Sequence, residues 1–222
     1  NMFDDVEIIG FEDGYKGLMY ADYQIMKSSD FSGILTQGGT ILGTSRQPFK
    51  LMRTPDENGL DKVEAMKHTY KKLKLSCLVV LGGNGSQKTA NMLSEEGLNV
   101  VSLPKTIDND LNGTDHCPGF GSAARYAALS AAELALDASG LPIHVVVLEL
   151  MGRNAGWVTA ASALAGRLTD CQVLTYLPEV PVDEDKMLAD IEKAYAKGKG
   201  LLVTVSEGIR GLDGKPLADT GI

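Results

Sequence analysis

The stretch Leu98-Asn99-Val100-Val101-Ser102-Leu103, followed by Pro104-Lys105-Thr106-Ile107-Asp108-Asn109-Asp110, constrains the fold and the function more than any other part of this sequence. The first run is mainly apolar and predicts a buried strand over 98–103. The second run places two carboxylates, an amide, a hydroxyl and a lysine directly after that strand. Polar residues past the carboxyl end of an α/β strand lie where such sheets bind ligands. The sequence therefore predicts an enzyme with chemistry in this loop.

Apolar runs alternate with amphipathic segments along the rest of the chain. Strands are predicted over 6–10, 77–81, 144–150, 172–177 and 201–205, and helices over 59–74, 86–96, 123–138 and 155–166. Asp183 is a predicted N-cap for a further helix. Its predicted apolar face comprises Met187, Leu188, Ile191, Ala194 and Tyr195. Alternating strands and helices are typical of a parallel sheet covered on both faces. A domain division is expected between about residues 112 and 142.

Composition narrows the function class. The chain has 222 residues, 44% of them hydrophobic, and a formal net charge of −8. The negative charge disfavours nucleic acid or an anionic membrane as the main partner. Three widely spaced cysteines without metal-ligand spacing indicate reduced thiols and a cytoplasmic location. Because Asn1 precedes Met2 and the last residues are turn-like, the sequence is expected to be a fragment.

Two further motifs follow predicted strands. Gly82-Gly83-Asn84-Gly85-Ser86 stands between a strand and a helix, where glycines let the backbone approach a polyphosphate. An ordinary tight turn is the alternative, since the motif is neither a GxGxxG fingerprint nor a Walker A loop. Met151-Gly152-Arg153 follows another strand, and its arginine is either a phosphate clamp or a surface ion-pair partner.

The individual acids and Arg46 also have two interpretations. Asp108 and Asp110 provide a general base and a second acid for a metal or for orienting the first, or else a turn cluster. Glu207 is an acceptor for sugar hydroxyls or a solvated carboxylate. Arg46, in a glycine-rich loop after Gly38-Gly39, contacts a phosphate or is merely exposed.

In combination and in order, these motifs resemble the phosphofructokinase family, which phosphorylates the 1-hydroxyl of fructose 6-phosphate. The resemblance runs from Gly10-Phe11-Glu12-Asp13-Gly14-Tyr15 to Glu207. It implies an α/β fold of two similar three-layer αβα domains with mainly parallel sheets and the active site in the cleft between them. It also implies a donor-binding domain over 1–120 and a sugar-phosphate domain over 121–222. Strands and loops of the family are expected before residue 6 and after Ile222, so the chain alone is expected to be inactive.

The resemblance assigns roles residue by residue. Asp108 matches the base for the sugar hydroxyl, with Thr106, Asp110 and Arg153 in the catalytic set. Asn84 and Asp110 are the expected Mg²⁺ ligands. The expected donor-binding residues are Arg46, Gly83, Asn84, Gly85, Ser86 and Lys105, and the expected fructose 6-phosphate contacts are Thr106, Asp108, Met151, Gly152, Arg153 and Glu207.

Three positions depart from the family's common pattern. Asn84 replaces the usual aspartate, and a neutral amide is a poorer magnesium ligand. Gly85 resembles enzymes that use ATP, whereas Lys105 resembles those that use pyrophosphate. Because a missing side chain at 85 leaves room for a nucleotide, ATP is the expected donor. His144 stands where many members have an arginine that reaches a neighbouring subunit's sugar phosphate.

Alternatives of other classes remain open at this stage. A pyrophosphate-dependent enzyme is the runner-up within the family. A non-catalytic regulatory paralogue is favoured by Asn84 and disfavoured by intact Asp108, Asp110 and Arg153. A dinucleotide-dependent dehydrogenase lacks the required glycine-to-acid spacing. The resemblance also implies a homo-oligomer, a dimer or a tetramer.

Overall fold

The computed structural model describes residues 6–141, 145–198 and 200–217. The chain divides into two compact units, Asn1–Leu103 (unit 1) and Pro104–Ile222 (unit 2). This division rests on compactness alone, so the predicted split of function between 1–120 and 121–222 stays a prediction. His144, which stands where many family members have an arginine, lies outside the described residues.

Unit 1 contains two small two-stranded sheets and three helices. Its elements are β1 (Ile8–Phe11), α1 (Tyr15–Tyr20), β2 (Tyr23–Met26), α2 (Lys62–Lys72), β3 (Leu78–Gly82), α3 (Asn84–Glu95) and β4 (Val100–Pro104). Strand β1 pairs antiparallel with β2, and β3 is the neighbour of β4. The sequence pattern did not predict α1 or β2, because elements of six and four residues are too short to show a period.

The core of unit 1 forms where α1, α2 and α3 pack against β3. Leu18, Met66 and Leu93 are almost completely buried there. The Asp61 carboxylate begins α2 by accepting hydrogen bonds from the backbone N–H groups of Val63 and Glu64, both at 3.0 Å. Such a cap satisfies amide groups that lack intrahelical partners.

Strands form at both predicted segments, 77–81 and 98–103. The prediction that 98–103 is a buried strand is wrong for one face, and the strand at 77–81 is likewise buried on one face only. In β3, Leu78 and Val80 are buried, whereas Val79 is 53% exposed and Leu81 is 63% exposed. In β4, Val101 and Leu103 are likewise exposed. Successive side chains of a strand point to opposite faces, and the core of unit 1 covers one of them. An apolar run does not by itself say whether one face or both are covered.

Unit 2 is a parallel sheet with helices on both faces. Its elements are α4 (Phe120–Gly140), β5 (Val145–Leu150), α5 (Trp157–Ser162), α6 (Ala165–Leu168), β6 (Gln172–Tyr176), α7 (Glu184–Tyr195) and β7 (Leu201–Ser206). The strand order is β5-β7-β6, with β7 parallel to both neighbours. Every residue of the central strand β7 is buried, as expected for a parallel strand covered on both faces.

Alternating residues of β7 supply two separate cores. Leu202 packs with the buried alanines of α4 and α6 on one face. Leu201 and Val203 pack with Ala194 of α7 on the other. Unit 2 therefore has three layers, which agrees with the predicted αβα architecture.

Two helix predictions in unit 2 need correction. The helix predicted over 155–166 is two short helices. Its interruption is marked by i→i+3 bonds, such as Leu164 N–H to Ala161 O at 3.1 Å, and by a hydrogen bond from the Ser162 hydroxyl to Thr159 O. The predicted N-cap Asp183 is confirmed, since its carboxylate accepts from Lys186 N–H at 3.2 Å. The predicted apolar face of α7 is wrong in part, because Leu188 and Tyr195 are exposed.

Candidate active site

The predicted catalytic loop begins directly after β4. Lys105 is exposed, whereas Thr106, Asp108 and Asp110 are half-buried. The Thr106 hydroxyl accepts a hydrogen bond from the Asp108 backbone N–H at 3.2 Å, which bends the chain back at this point. Thr106 also forms a parallel bridge with Gly119, the residue that precedes α4. The loop is therefore attached to the amino end of that helix.

Asn109 holds the same loop from between the two acids. Its backbone lies in the left-handed region with φ of 55°, which asparagine tolerates better than most residues. Its side-chain Oδ1 accepts from Cys117 N–H at 2.8 Å, and its Nδ2 donates to Asp115 O at 3.3 Å. These bonds fix the backbone that carries Asp108 and Asp110.

The surroundings of Asp108 favour its neutral form. Burial is the main cause that raises the pKa of this carboxyl, and the negative charges of Asp110 and Glu207 raise it further. A higher pKa makes the carboxylate a stronger base. Asp110 and Glu207 thus lie near enough within unit 2 to act on the carboxyl of Asp108.

The loops after β5 and β7 are joined to each other. Leu150 and Ser206 pair at the ends of these strands. The Ser206 hydroxyl donates a hydrogen bond to Gly152 O, and Gly152 N–H donates to Glu207 Oε1 at 3.3 Å. The structure therefore brings the predicted sugar-phosphate residues of both loops to one edge of the sheet.

Gly208 makes that junction possible. A Cβ atom built on Gly208 would lie 1.8 Å from the backbone oxygen of Arg153, closer than real atoms approach. Only a glycine fits against the backbone at this point. Arg153 is itself exposed and, within the described part of the chain, has no ion-pair partner. Its guanidinium is thus accessible to an anionic ligand. Met151 is exposed beside it.

In unit 1, the predicted phosphate loop is the start of a helix. Gly83 is the N-cap of α3, and Asn84, Gly85 and Ser86 form its first turn. No side chain of the described residues caps this end. Its first N–H groups have no intrahelical acceptors, and the helix dipole adds partial positive charge. A Cβ atom built on Gly85 would meet no atom within 4 Å, so packing does not require glycine there.

Tyr15, at the start of α1, and Asp13, just before it, contact the two predicted donor loops of unit 1. The Tyr15 hydroxyl donates to Ser86 O at 2.8 Å, and the Ser45 hydroxyl donates to Asp13 O at 2.6 Å. Burial raises the pKa of Tyr15 far above its usual value, so this phenol stays a donor. Arg46 follows Ser45, is exposed, and forms no ion pair with other described residues.

Sequence reasoning assigned no role to Tyr15, Asn109 or Gly208. An asparagine between two aspartates after a strand is a signal for a left-handed turn, so the sequence could have predicted the backbone conformation of Asn109. Tyr15 contacts Ser86, which lies 71 positions later in the chain. Gly208 packs against Arg153, which is also distant in sequence, and no local pattern predicts either contact.

The predicted metal ligands, Asn84 and Asp110, are few, as is common for Mg²⁺ sites. Among the described residues, no cluster of three or more acids, histidines or cysteines forms a metal cage. Mg²⁺ commonly keeps several waters and is bound by one or two carboxylates together with substrate phosphates. Asp110 has a carboxylate in unit 2 and Asn84 has an amide in unit 1, and their roles as Mg²⁺ ligands stay predictions.

Comparison with known proteins identifies the family that this chain resembles. A family model described as phosphofructokinase matches residues 1–220. The ATP-dependent 6-phosphofructokinase of Spirochaeta thermophila is 44% identical over 215 residues, which are 91% of this chain and 55% of that protein. The ATP-dependent 6-phosphofructokinase of Propionibacterium freudenreichii is 40% identical over 92% of this chain and 54% of that protein.

A solved structure extends the comparison to the fold. The pyrophosphate-dependent phosphofructokinase of Nitrosospira multiformis is similar with a TM-score of 0.78 and 30% identity. The match covers 95% of this chain and 54% of that chain. This chain spans about half the length of the curated relatives it matches. Of the helices in 6–141, 145–198 and 200–217, none is long and apolar enough to cross a bilayer.

Proposed function

The chain belongs to the phosphofructokinase family, and from this premise we propose that the protein transfers the γ-phosphoryl group of ATP to the 1-hydroxyl of fructose 6-phosphate. The product is fructose 1,6-bisphosphate, an intermediate of glycolysis. The observation that carries the proposal is the half-buried Asp108, which a turn holds in place and whose pKa is raised by burial and by Asp110 and Glu207. These are the properties required of a base for one hydroxyl.

Asp108 takes the proton of the sugar hydroxyl as that oxygen attacks phosphorus. Thr106 lies beside the transferred group, and Asp110 supports the base or contacts the metal. Arg153 neutralises phosphate charge with its unpaired guanidinium. Phosphoryl transfer depends mainly on such positioning and charge neutralisation, and this residue set supplies both.

The sugar phosphate is proposed to bind at the joined loops after β5 and β7. Glu207 accepts hydrogen bonds from sugar hydroxyls, while Met151 and Gly152 border the ring. The hydrogen bond from Gly152 N–H to Glu207 Oε1 keeps the carboxylate oriented before the sugar arrives. Preorganised acceptors lose less entropy on binding than mobile ones.

The donor phosphates are proposed to bind at the first turn of α3, with Arg46 and Lys105 as additional cations. Gly83 allows the backbone to approach, and the free N–H groups of Asn84, Gly85 and Ser86 face the anion. Asn84 and Asp110 are each proposed as Mg²⁺ ligands, and the ion would supply positive charge to the transferred group.

The open space at Gly85 favours ATP over pyrophosphate. An aspartate there would project into space that the chain itself leaves unfilled. Two relatives with 44% and 40% identity are named ATP-dependent, which supports the same donor. Pyrophosphate remains the second candidate because Lys105 resembles its users and because the Nitrosospira multiformis enzyme is named pyrophosphate-dependent.

The proposal is tested with the purified full-length protein, assayed for fructose 1,6-bisphosphate with ATP or pyrophosphate as donor. We expect turnover with ATP. Asp108→Ala is expected to lower kcat by about 10²- to 10⁴-fold, because it removes the base. Asp137→Ala, on the exposed side of α4, is the control and is expected to keep the wild-type kcat.

Other outcomes would decide among the alternatives. Turnover with pyrophosphate alone would contradict the donor but not the reaction. Binding of fructose 6-phosphate without turnover by either donor would indicate a regulatory paralogue. An unchanged kcat in Asp108→Ala would remove its role as base. The cytoplasmic location, the homo-oligomer and the division of function between 1–120 and 121–222 are parts of the same proposal.

A further inference from the structure

The side chain of Gln87 joins three elements of unit 1 at their ends. Its Nε2 donates hydrogen bonds to Gly82 O at 2.9 Å and to Leu103 O at 3.0 Å. Its Oε1 accepts a hydrogen bond from the Ser102 hydroxyl at 2.5 Å. Gly82 ends β3, Ser102 and Leu103 lie near the end of β4, and Gln87 itself belongs to the start of α3. One amide therefore connects two strands to a helix.

These bonds are not needed to form the helix. The backbone N–H of Gln87 already makes the first intrahelical bond, to Gly83 O at 3.0 Å. The side chain uses both of its N–H donors and its acceptor on the strands instead of on water. Ordering a glutamine side chain costs conformational entropy, so a fully used amide at a half-buried position indicates a fixed geometry.

The geometry that Gln87 fixes is that of the turn preceding it. Gly82 approaches Ser86 so closely that a Cβ on Gly82 would lie 2.4 Å from the Ser86 side chain. Tyr15 contacts the same turn through its hydrogen bond to Ser86 O. Within 6–141, 145–198 and 200–217, no side chain caps the N–H groups of this turn. Small displacements of such groups weaken anion binding, because their hydrogen bonds depend on distance and angle.

We propose that Gln87 is a positioning residue for the phosphate donor, fixing the first turn of α3 on the ends of β3 and β4. The inference rests on the proposed function, in which this turn binds the donor phosphates. Gln87 does not contact the donor. It acts through the backbone N–H groups of Asn84, Gly85 and Ser86.

The test compares three variants of the full-length protein. Gln87→Glu keeps the size of the side chain and its acceptor for Ser102 but loses both N–H donors and directs a carboxylate at two carbonyl oxygens. Ser102→Ala removes one bond and leaves Gln87 in place. Asn91→Ala is the matched control, because Asn91 lies one turn later on α3 and its amide donates to Glu95 Oε1 at 2.9 Å instead of to a strand.

Dissociation constants for magnesium-ATP and for pyrophosphate are measured separately by calorimetry without sugar phosphate, followed by steady-state kinetics. In Gln87→Glu we expect the dissociation constant and KM of the donor to rise roughly tenfold while KM for fructose 6-phosphate is unchanged. Ser102→Ala should raise the donor constant roughly threefold, and Asn91→Ala should leave it unchanged.

The proposal is overturned if Gln87→Glu binds the donor as tightly as the wild type, or if it weakens donor and acceptor alike. Should Gln87→Glu fail to fold, Ser102→Ala decides by itself, and wild-type donor affinity there overturns the proposal. A wild-type protein that binds a donor without turnover would refute the proposed function while the Gln87 comparison still stands. A wild-type protein that binds neither donor overturns both.

Discussion

At the scale of single residues, the candidate site depends on amide side chains as much as on its acids. Asp108 performs the proposed chemistry, but its position comes from the Thr106 hydroxyl and from Asn109. The carboxylates are visible in the sequence as a cluster. The hydrogen bonds of the Asn109 side chain with Cys117 N–H and Asp115 O are not visible in the sequence, because those groups lie in a different part of the loop.

Replacing Asn109 separates its hydrogen bonds from its backbone conformation. Asn109→Gly tolerates φ of 55° but loses both side-chain bonds, so we expect kcat to fall about tenfold through displacement of Asp108. Asn109→Ala loses the same bonds and also places alanine in the left-handed region, so we expect the unfolding free energy to fall by about a further 1 kcal/mol. Steady-state kinetics and urea unfolding measure the two effects.

The exposed Asn112, in the same loop, provides the control for this pair. Asn112→Ala is expected to match the wild type in both kcat and stability. A wild-type kcat in Asn109→Gly would mean that the loop holds Asp108 without the asparagine side chain.

At the scale of secondary structure elements, helix starts serve two different purposes. The starts of α2 and α7 are capped by Asp61 and Asp183, whose carboxylates accept backbone N–H groups. The start of α3 has glycine as its N-cap and, like the starts of α1, α4, α5 and α6, receives no side-chain cap from the described residues. A capped start stabilises the helix, whereas an uncapped start keeps N–H groups available to an anion.

Removing the Asp61 cap tests this distinction. Asp61→Ala leaves the N–H groups of Val63 and Glu64 without their partner, so we expect the unfolding free energy to fall by about 1 kcal/mol. The donor KM should not change, because α2 contributes no proposed ligand. Asp61→Asn retains an acceptor and is expected to recover most of the stability in chemical denaturation. A large rise in the donor KM of Asp61→Ala would contradict the separate roles.

At the scale of the whole molecule, unit 1 contains a charge network that links distant segments. Lys67 contacts Glu64 at 2.6 Å and Glu96 at 3.1 Å, and Arg53 contacts Glu96 at 3.0 Å. Lys67 is the main cause that lowers the pKa of Glu96, followed by Arg53. Arg53 and Glu64 are exposed, whereas Lys67 and Glu96 are partly buried. Because solvent reaches the outer partners, the contribution of the network to stability is expected to be small and sensitive to salt.

The network predicts a pH dependence of stability. A carboxyl with a lowered pKa in the folded state stabilises the fold above its unfolded pKa, and loses that effect as the pH falls through its folded pKa. The stability difference between wild type and Glu96→Gln should therefore be present near neutral pH and vanish in acid. Urea titrations across a pH series measure it, and Glu7→Gln, at an exposed carboxyl of the same unit, should show no such loss. A difference that persists in strong acid would show that charge is not its origin.

The sequence by itself determined the order of the longer strands and helices, the three-layer class of unit 2, and the polar clusters that follow β3, β4, β5 and β7. These follow from hydrophobic period and from residue type, which act over a few neighbouring residues. It could not determine which faces of β3 and β4 are buried, since an apolar run is compatible with either arrangement.

Only the tertiary structure decided how the predicted catalytic and donor-binding residues are held in place. It placed Asn84, Gly85 and Ser86 in a helix start, tied that start to two strands through Gln87, and fitted Gly208 against Arg153. The bonds from Gln87 to β4 and the close approach of Gly208 to Arg153 join residues that are well separated in the chain. Such contacts depend on the packing of whole elements, which no local pattern of residues specifies.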